Sequence, residues 1–196
     1  MNDNPYAAPT AVLDEGQLAE AADPLFYVVA PRKAVALVVA TMGAYLVYWF
    51  YRNWALYKQR TGEKLIAVLR GVFSIFFAHS LMKKFNEQMQ ASGVDYQWSP
   101  SGLATLYVLT AVTSNVLDRM SWQSVGSPYS DFLSIFVVAF FVALIIPMQR
   151  AANIAAGDPE GVSNAEFTLI NRVWLVLGVL WWSLVVYGLY LLAVGG

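Results

Sequence analysis

The chain alternates long apolar blocks with shorter polar segments, and five such blocks stand out. They cover residues 34–51, 65–82, 103–117, 132–148 and 173–194. Apolar residues in these blocks do not alternate with polar ones at the period of a surface helix or a half-buried strand. A helix of about 18 apolar residues spans about 27 Å, close to the thickness of a bilayer's hydrocarbon layer. The pattern predicts an all-α fold, an integral membrane helical bundle.

The five blocks differ in how well they suit a membrane interior. The first, fourth and fifth are free of charged residues, and the third is shorter and richer in threonine, serine and asparagine. The second block carries Arg70 and His79. A central arginine costs about 2.5–3.5 kcal/mol on insertion scales. We therefore predict four transmembrane helices plus one interfacial or re-entrant helix, formed by the second block.

The distribution of cations supports this count. If the second block does not cross and the N-terminus is outside, nine Lys and Arg residues are cytoplasmic and three are outside. The nine are Arg52, Lys58, Arg60, Lys64, Arg70, Lys83, Lys84, Arg150 and Arg172, and the three are Arg32, Lys33 and Arg119. If the second block crosses, the split is nearly even. Because cations favour cytoplasmic loops, four spans are preferred, and five spans are the alternative.

Residues 1–30 differ in composition from the rest of the chain. They hold five acidic residues and no Lys or Arg, with several alanines and prolines. We expect a flexible acidic N-terminal tail over 1–30 and a single transmembrane domain over 31–196. The tail lacks the basic and apolar regions of a cleavable signal, so the first hydrophobic helix is expected to direct insertion.

Composition and charge exclude several functions. Of 196 residues, 58% are hydrophobic and 13% are charged, about half the charged share of an ordinary soluble domain. The net charge of −1 provides no basic field for nucleic acid. There is no cysteine and only one histidine, so thiolate or histidine-rich metal sites cannot form. Because phosphate-loop and hydrolase motifs are also lacking, we expect no enzyme activity and no cofactor.

Aromatic and basic residues follow the first block and flank the second. Aromatic rings favour the headgroup level, and cations favour anionic lipid. We therefore expect a non-enzymatic membrane protein that contacts lipids, a membrane-protein partner or a second copy of itself through a cytoplasmic basic rim. This basic rim consists of Arg52, Trp54, Lys58, Arg60, Arg70, Lys83 and Lys84.

A small transporter or channel subunit is the alternative function. Asp118 and Arg119 end the third block, which is also rich in threonine, and Asp131 opens the fourth. Charged residues within a membrane often mark a polar pathway, whereas at helix ends they are more often solvated. The transporter hypothesis requires Asp118, Arg119 and the threonines to line one shared polar face.

Two further groups of residues suggest helix packing. Gln149 and Asn153 end the fourth block, and Asn164 leads towards the fifth, so we expect amide hydrogen bonds at helix ends in this loop. Trp181 and Trp182 lie in the middle of the fifth block, far from the headgroups. At least one of them is therefore expected to face a neighbouring helix.

The aromatic pattern of the first block, with features after it, resembles a group of uncharacterised small multi-pass membrane proteins of bacteria. The residues that carry the resemblance are Gly43, Tyr45, Tyr48, Trp49, Phe50, Tyr51, Asn53, Trp54, Leu69, Arg70, Gly71, Phe73, Phe76, Phe77, Gln149 and Asn153. The start over residues 2–9 is similar to tails found on such proteins. The resemblance implies a bacterial inner membrane and no particular activity, and the chain departs from the pattern over residues 157–162.

Overall fold

A computed structural model describes residues 24–194, with no side-chain detail for 192 and 193. This part of the chain contains seven α-helices, one short 3-10 helix (Val162–Asn164) and no strand, which confirms the all-α prediction. The α-helices are α1 (Pro31–Ala40), α2 (Tyr45–Thr61), α3 (Ala67–Val72), α4 (Ser74–Ala91), α5 (Pro100–Trp122), α6 (Tyr129–Ala155) and α7 (Leu169–Val194).

The first apolar block is interrupted, so the prediction of one helix over 34–51 is wrong. Helix α1 ends at Ala40, and α2 begins only at Tyr45. Between them, Met42 and Gly43 have positive φ angles of 49° and 91°. A side chain at Gly43 would lie 3.1 Å from the Phe141 ring, so the turn also packs closely on α6. With ten residues, α1 reaches only about 15 Å, too short to cross a bilayer alone.

The chain reverses direction at this turn and forms a helical hairpin. The Tyr27 backbone N–H, just before α1, donates a 3.0 Å hydrogen bond to Asn53 Oδ1 in α2. The Phe26 ring stacks on Tyr57, with ring centroids 5.9 Å apart. Both ends of the predicted first span therefore lie at the same end of the molecule, which we call the proximal end. The first of the four expected spans is therefore not a single continuous helix, and the four-span bundle is not confirmed.

The second apolar block also forms two helices instead of one. Helix α3 ends at Val72, and α4 starts at Ser74 after a break in the helix at Phe73. Gly71 lies against α2, where a side chain would come within 2.8 Å of the Tyr51 Cβ. This close approach holds α3 along α2, so α4 leaves in a different direction.

Helices α4, α5 and α6 form an antiparallel series. Near the proximal end, the Trp98 Nε1 donates to Asn86 Oδ1 at 3.1 Å, which joins the end of α4 to the start of α5. At the opposite end, which we call distal, Ser121 Oγ donates to the Asp131 carboxylate across the α5–α6 turn. Helix α5 thus runs from proximal to distal, and α6 returns. The helix α6 and most of α7 are each long and apolar enough to cross a membrane.

Helix α7 is almost entirely exposed and packs mainly on α1. The contact centres on Gly178, where an added Cβ would lie 2.6 Å from the Ala40 carbonyl oxygen. Glycine therefore allows the two helix backbones to approach closely.

We expect Gly178→Ala to lower the free energy of unfolding by about 1–3 kcal/mol, because the α1 and α7 backbones must move apart. Thermal unfolding in detergent measures the effect. Gly188→Ala is the matched control, since nothing lies within 4 Å of a Cβ added there. Equal stability of the two variants would contradict close α1–α7 packing.

Candidate functional site

An extended segment over residues 24–30, placed in the tail by the sequence analysis, is built into the proximal end. Phe26 and Val29 are fully buried, so this segment is part of the core. The rest of the predicted tail, residues 1–23, lies outside the described residues. Because an extended segment makes no hydrogen bonds within itself, its buried backbone groups need partners from elsewhere in the chain.

Side-chain amides supply those partners. Asn153 accepts from the Val29 N–H at 3.1 Å and donates to the Val29 carbonyl at 2.9 Å. Gln149 donates to the Tyr27 carbonyl at 3.0 Å and to Asn153 Oδ1 at 2.7 Å. The amide cluster, defined as Asn53, Gln149, Asn153 and Asn164, therefore binds the segment as a neighbouring strand would. The expected amide bonds exist, but the amides of this cluster bind the extended segment, whereas Asn171 accepts from the Thr168 N–H at the start of α7 as expected of a helix end.

Two further contacts complete the amide cluster. Asn164 donates to the Val28 carbonyl at 2.9 Å, which ties the α6–α7 loop to the segment. The Trp49 Nε1 donates to Gln149 Oε1. Asn53, Gln149 and Asn153 are completely buried. Buried amides with matched partners fix one arrangement, because a shift would leave several polar groups without partners.

The basic rim is partly assembled at the same end. The Arg70 guanidinium lies 4.2 Å from the centre of the Trp54 ring and 5.2 Å from that of Phe77. It also lies 3.7 Å from the Glu63 carboxylate. Arg70 is therefore held by two rings and a carboxylate, with only 22% of its side chain exposed.

Lys84 lies near the Tyr57 ring, which is adjacent to Trp54. Its Nζ lies 5.5 Å from the centre of the Tyr57 ring, which in turn lies 5.9 Å from that of Trp54. Lys84 also donates to Glu87 at 3.0 Å, and Lys83 approaches the same carboxylate at 3.7 Å. The hydrogen bond from Lys84 holds the pKa of Glu87 below its ordinary value. Arg70 and Lys84 are thus brought together on one aromatic surface.

The other rim residues are spread around this surface. Lys58 and Arg60 are exposed near the end of α2. Arg52 is half-buried, with its guanidinium 5.5 Å from the centre of the Tyr27 ring. Its Nε atom is buried and makes no hydrogen bond with any described residue. These three cations lie at the proximal end but do not converge on Arg70.

Trp54 differs from its expected role as a lipid contact. Its side chain is completely buried, and within residues 24–194 its Nε1 has no hydrogen-bond partner. It lies under Arg70 and packs against Tyr57, so it supports the basic rim from inside. Trp49 is equally buried. Aromatic residues at a membrane interface and aromatic residues in a protein core give the same sequence pattern, so the sequence did not distinguish these two roles for Trp54.

Asp118 and Arg119 lie near the distal end and do not form an interior polar path. Both side chains are exposed, and Asp118 accepts a weak 3.4 Å hydrogen bond from Ser114 of its own helix. Neighbouring helical residues point about 100° apart, so Asp118 and Arg119 belong to different faces of α5. Thr105 and Thr113 are also exposed. The shared polar face that the transporter hypothesis requires is not formed in this single chain.

Cations are strongly segregated between the two ends. Arg119 is the only one of the 12 Lys and Arg residues near the distal end, and the other eleven belong to segments that meet at the proximal end. Among the residues with described positions, no three His, Cys, Asp or Glu side chains are grouped so that they could hold a metal ion. His79 instead lies 3.0 Å from the Thr105 hydroxyl.

A groove of about 950 Å³ lies between α7 and the α1–α2 hairpin. Trp182 donates to the Val39 carbonyl at 2.8 Å, which confirms that at least one of the two central tryptophans faces a neighbouring helix. Trp181 lines the groove and approaches the Met42 sulfur at 2.8 Å. The shape of this groove depends on the reversal of the chain after α1, which the sequence analysis did not predict.

Lys33 lines the groove at its proximal end and is only 2% exposed. Its Nζ donates to Asn164 Oδ1 and to the Glu166 carbonyl, both at 2.6 Å. Burial lowers the pKa of Lys33, since both partners are neutral. The sequence analysis treated Lys33 only as an external topology signal, and no local pattern marks it as buried.

Comparison of the chain with protein families, with curated proteins and with solved structures gives no match.

Proposed function

We propose that this is a helical membrane protein in which α5, α6 and α7 cross the bilayer. The lengths and apolar character of α6 and α7 support two of these crossings. The third follows from connectivity, because α5 starts beside Asn86 at the proximal end and reaches Asp131 at the distal end. The α1–α2 hairpin then enters the bilayer from the proximal side without crossing, and α3 and α4 likewise enter along it and return to the proximal side.

The orientation follows from charge. With three crossings, eleven cations lie on the proximal side and one on the distal side. This asymmetry is larger than the nine to three of the four-span arrangement, and it supports an orientation in which the proximal end faces the cytoplasm. A bacterial inner membrane is the location implied by the resemblance.

The proposed function is the non-enzymatic binding of anionic lipid headgroups by the basic rim. The observation that carries it is the placement of Arg70 and Lys84 on two neighbouring rings, Trp54 and Tyr57, whose centres lie 5.9 Å apart. Rings that fix two cations reduce the conformational entropy lost when an anion binds. The exposed cations Lys58 and Arg60 extend the positive surface towards the headgroup level.

Replacing Lys58, Arg60, Arg70 and Lys84 together by glutamine is expected to weaken binding to anionic lipid on the order of a hundredfold. Each cation near an anionic surface contributes about 1 kcal/mol, and 1.4 kcal/mol corresponds to tenfold in affinity. Binding of the purified protein to phosphatidylglycerol nanodiscs, compared with phosphatidylcholine nanodiscs, measures the loss.

The control replaces Arg150 and Arg172 by glutamine, since both are exposed at the proximal end but outside the basic rim. We expect this pair to retain the preference for phosphatidylglycerol to within about threefold, as only general attraction is removed. If the quadruple variant binds phosphatidylglycerol as well as the unmodified protein does, the basic rim acts only in orienting the chain.

A further inference from the structure

The groove between α1 and α7 has apolar walls and a polar end. Leu37, Leu177, Leu180 and Leu184 contribute apolar surface along its length. Its volume of about 950 Å³ falls in the range of known ligand sites, about 300–1,000 Å³. Polar groups gather towards the start of α7, where Lys33, Asn164 and Asn171 line it.

The Lys33 ammonium carries the charge of this site. An ammonium group has three donors, and Asn164 and Glu166 account for two of them with neutral oxygens. The structure records no carboxylate within salt-bridge distance of Lys33 among residues 24–194. Because a buried charge without a counter-ion is costly, an anion in the groove would offset that cost.

We propose that this groove binds a single phospholipid with an anionic headgroup. Its phosphate accepts from the Lys33 Nζ, and its acyl chain lies along Leu177, Trp181 and Leu184. The polar end of the groove is at the proximal end, so the lipid belongs to the leaflet on that side. This site does not include any residue of the basic rim, so lipid binding in the groove can be tested independently of the function proposed for the rim.

Charge and shape favour a lipid over other occupants. A second copy of the chain would have to place an anionic side chain beside Lys33 at the polar end of the apolar groove. A free phosphate ion would satisfy Lys33 but leave the apolar walls empty. A phospholipid has an anionic phosphate at one end and apolar chains beyond it. This matches the groove, which has Lys33 at one end and apolar side chains along its length.

Native mass spectrometry of the delipidated protein tests the proposal. The quadruple rim variant serves as the background, so that binding through Arg70 and Lys84 does not contribute. The probes are phosphatidylglycerol and phosphatidylcholine with identical acyl chains. We expect one bound lipid per chain, with phosphatidylglycerol preferred at least tenfold. Lys33→Gln should reduce that preference to less than twofold, whereas Lys33→Arg should retain most of it.

A second pair of variants tests the apolar wall. Leu177→Trp fills the groove and is expected to weaken both lipids about tenfold or more, while Val179→Trp, exposed on α7 but outside the groove, should not. Inorganic phosphate should not displace the lipid. The proposal is overturned if neither Lys33→Gln nor Leu177→Trp changes binding, if the chain binds no lipid, or if it is a lipid-free dimer.

Discussion

Asn153→Leu is expected to lower the free energy of unfolding by about 3 kcal/mol or more. The substitution removes both partners of the Val29 backbone, the 3.1 Å acceptor and the 2.9 Å donor. It also removes the acceptor of the Gln149 amide. A buried polar group left unsatisfied costs about 1–3 kcal/mol, and three such groups are created here. Thermal and denaturant unfolding in detergent measure the loss.

Asn115→Leu provides the matched control for this prediction. The Asn115 amide donates only to the Ala111 carbonyl, one turn earlier in its own helix, and its side chain is exposed. We expect a change within about 0.5 kcal/mol there, as for most surface substitutions. If Asn153→Leu were no more destabilising than Asn115→Leu, the extended segment would not depend on the amide cluster.

Cysteines at the two ends of the molecule are expected to differ completely in their reaction with a label added outside the cell. The protein has no cysteine, so single cysteines can be introduced without further changes. We expect Ser124→Cys, in the distal turn, to react with an impermeant maleimide in intact bacterial cells. Pro24→Cys and Lys58→Cys should react only after the membrane is opened, because both lie at the proximal end, which we propose faces the cytoplasm.

The pair at residues 24 and 58 tests the hairpin itself. If the first apolar block crossed the membrane as one helix, these two positions would lie on opposite sides, and only one of them would be protected. Reaction at Pro24→Cys without reaction at Lys58→Cys would restore the single first span. Reaction at Lys58→Cys and not at Ser124→Cys would reverse the orientation.

The long apolar blocks predicted α6 and α7 well. The expected block over 132–148 lies within Tyr129–Ala155, and 173–194 lies within Leu169–Val194. An uncharged run of this length has few alternatives to a helix. Helix α5 extends beyond 103–117 in both directions, and its start was marked by Ser99 and Pro100, a cap and a first-turn proline.

The break in the first block could not be found from the same pattern. No polar residue interrupts 41–44 except Thr41, and glycine is common in membrane helices, so Gly43 alone is a weak signal. The turn is stabilised by contacts distant in sequence, above all between Gly43 and Phe141 and between Ala40 and Gly178. Such contacts override the local preference for helix. They join residues that are too far apart in the sequence for any local pattern to include both.

The candidate site was predicted in part. The sequence identified the cations of the basic rim, but it did not show that Glu63 pairs with Arg70 or that Trp54 lies beneath it. Burial of Lys33 depends on Asn164, which is 131 residues away. Residue type and spacing indicate which groups prefer a membrane surface, whereas burial requires the path of the chain.

The extended segment before α1 also has a consequence for how the chain is made. During synthesis it emerges before all of its amide partners: Asn53 follows 26 residues after Tyr27, whereas Gln149, Asn153 and Asn164 follow their partners by more than a hundred residues. Contacts of such separation form slowly, since a long loop must close before they are made. Asn53 is therefore available to the segment early, but the other backbone groups of the segment stay without their partners until α6 and the loop after it have been made.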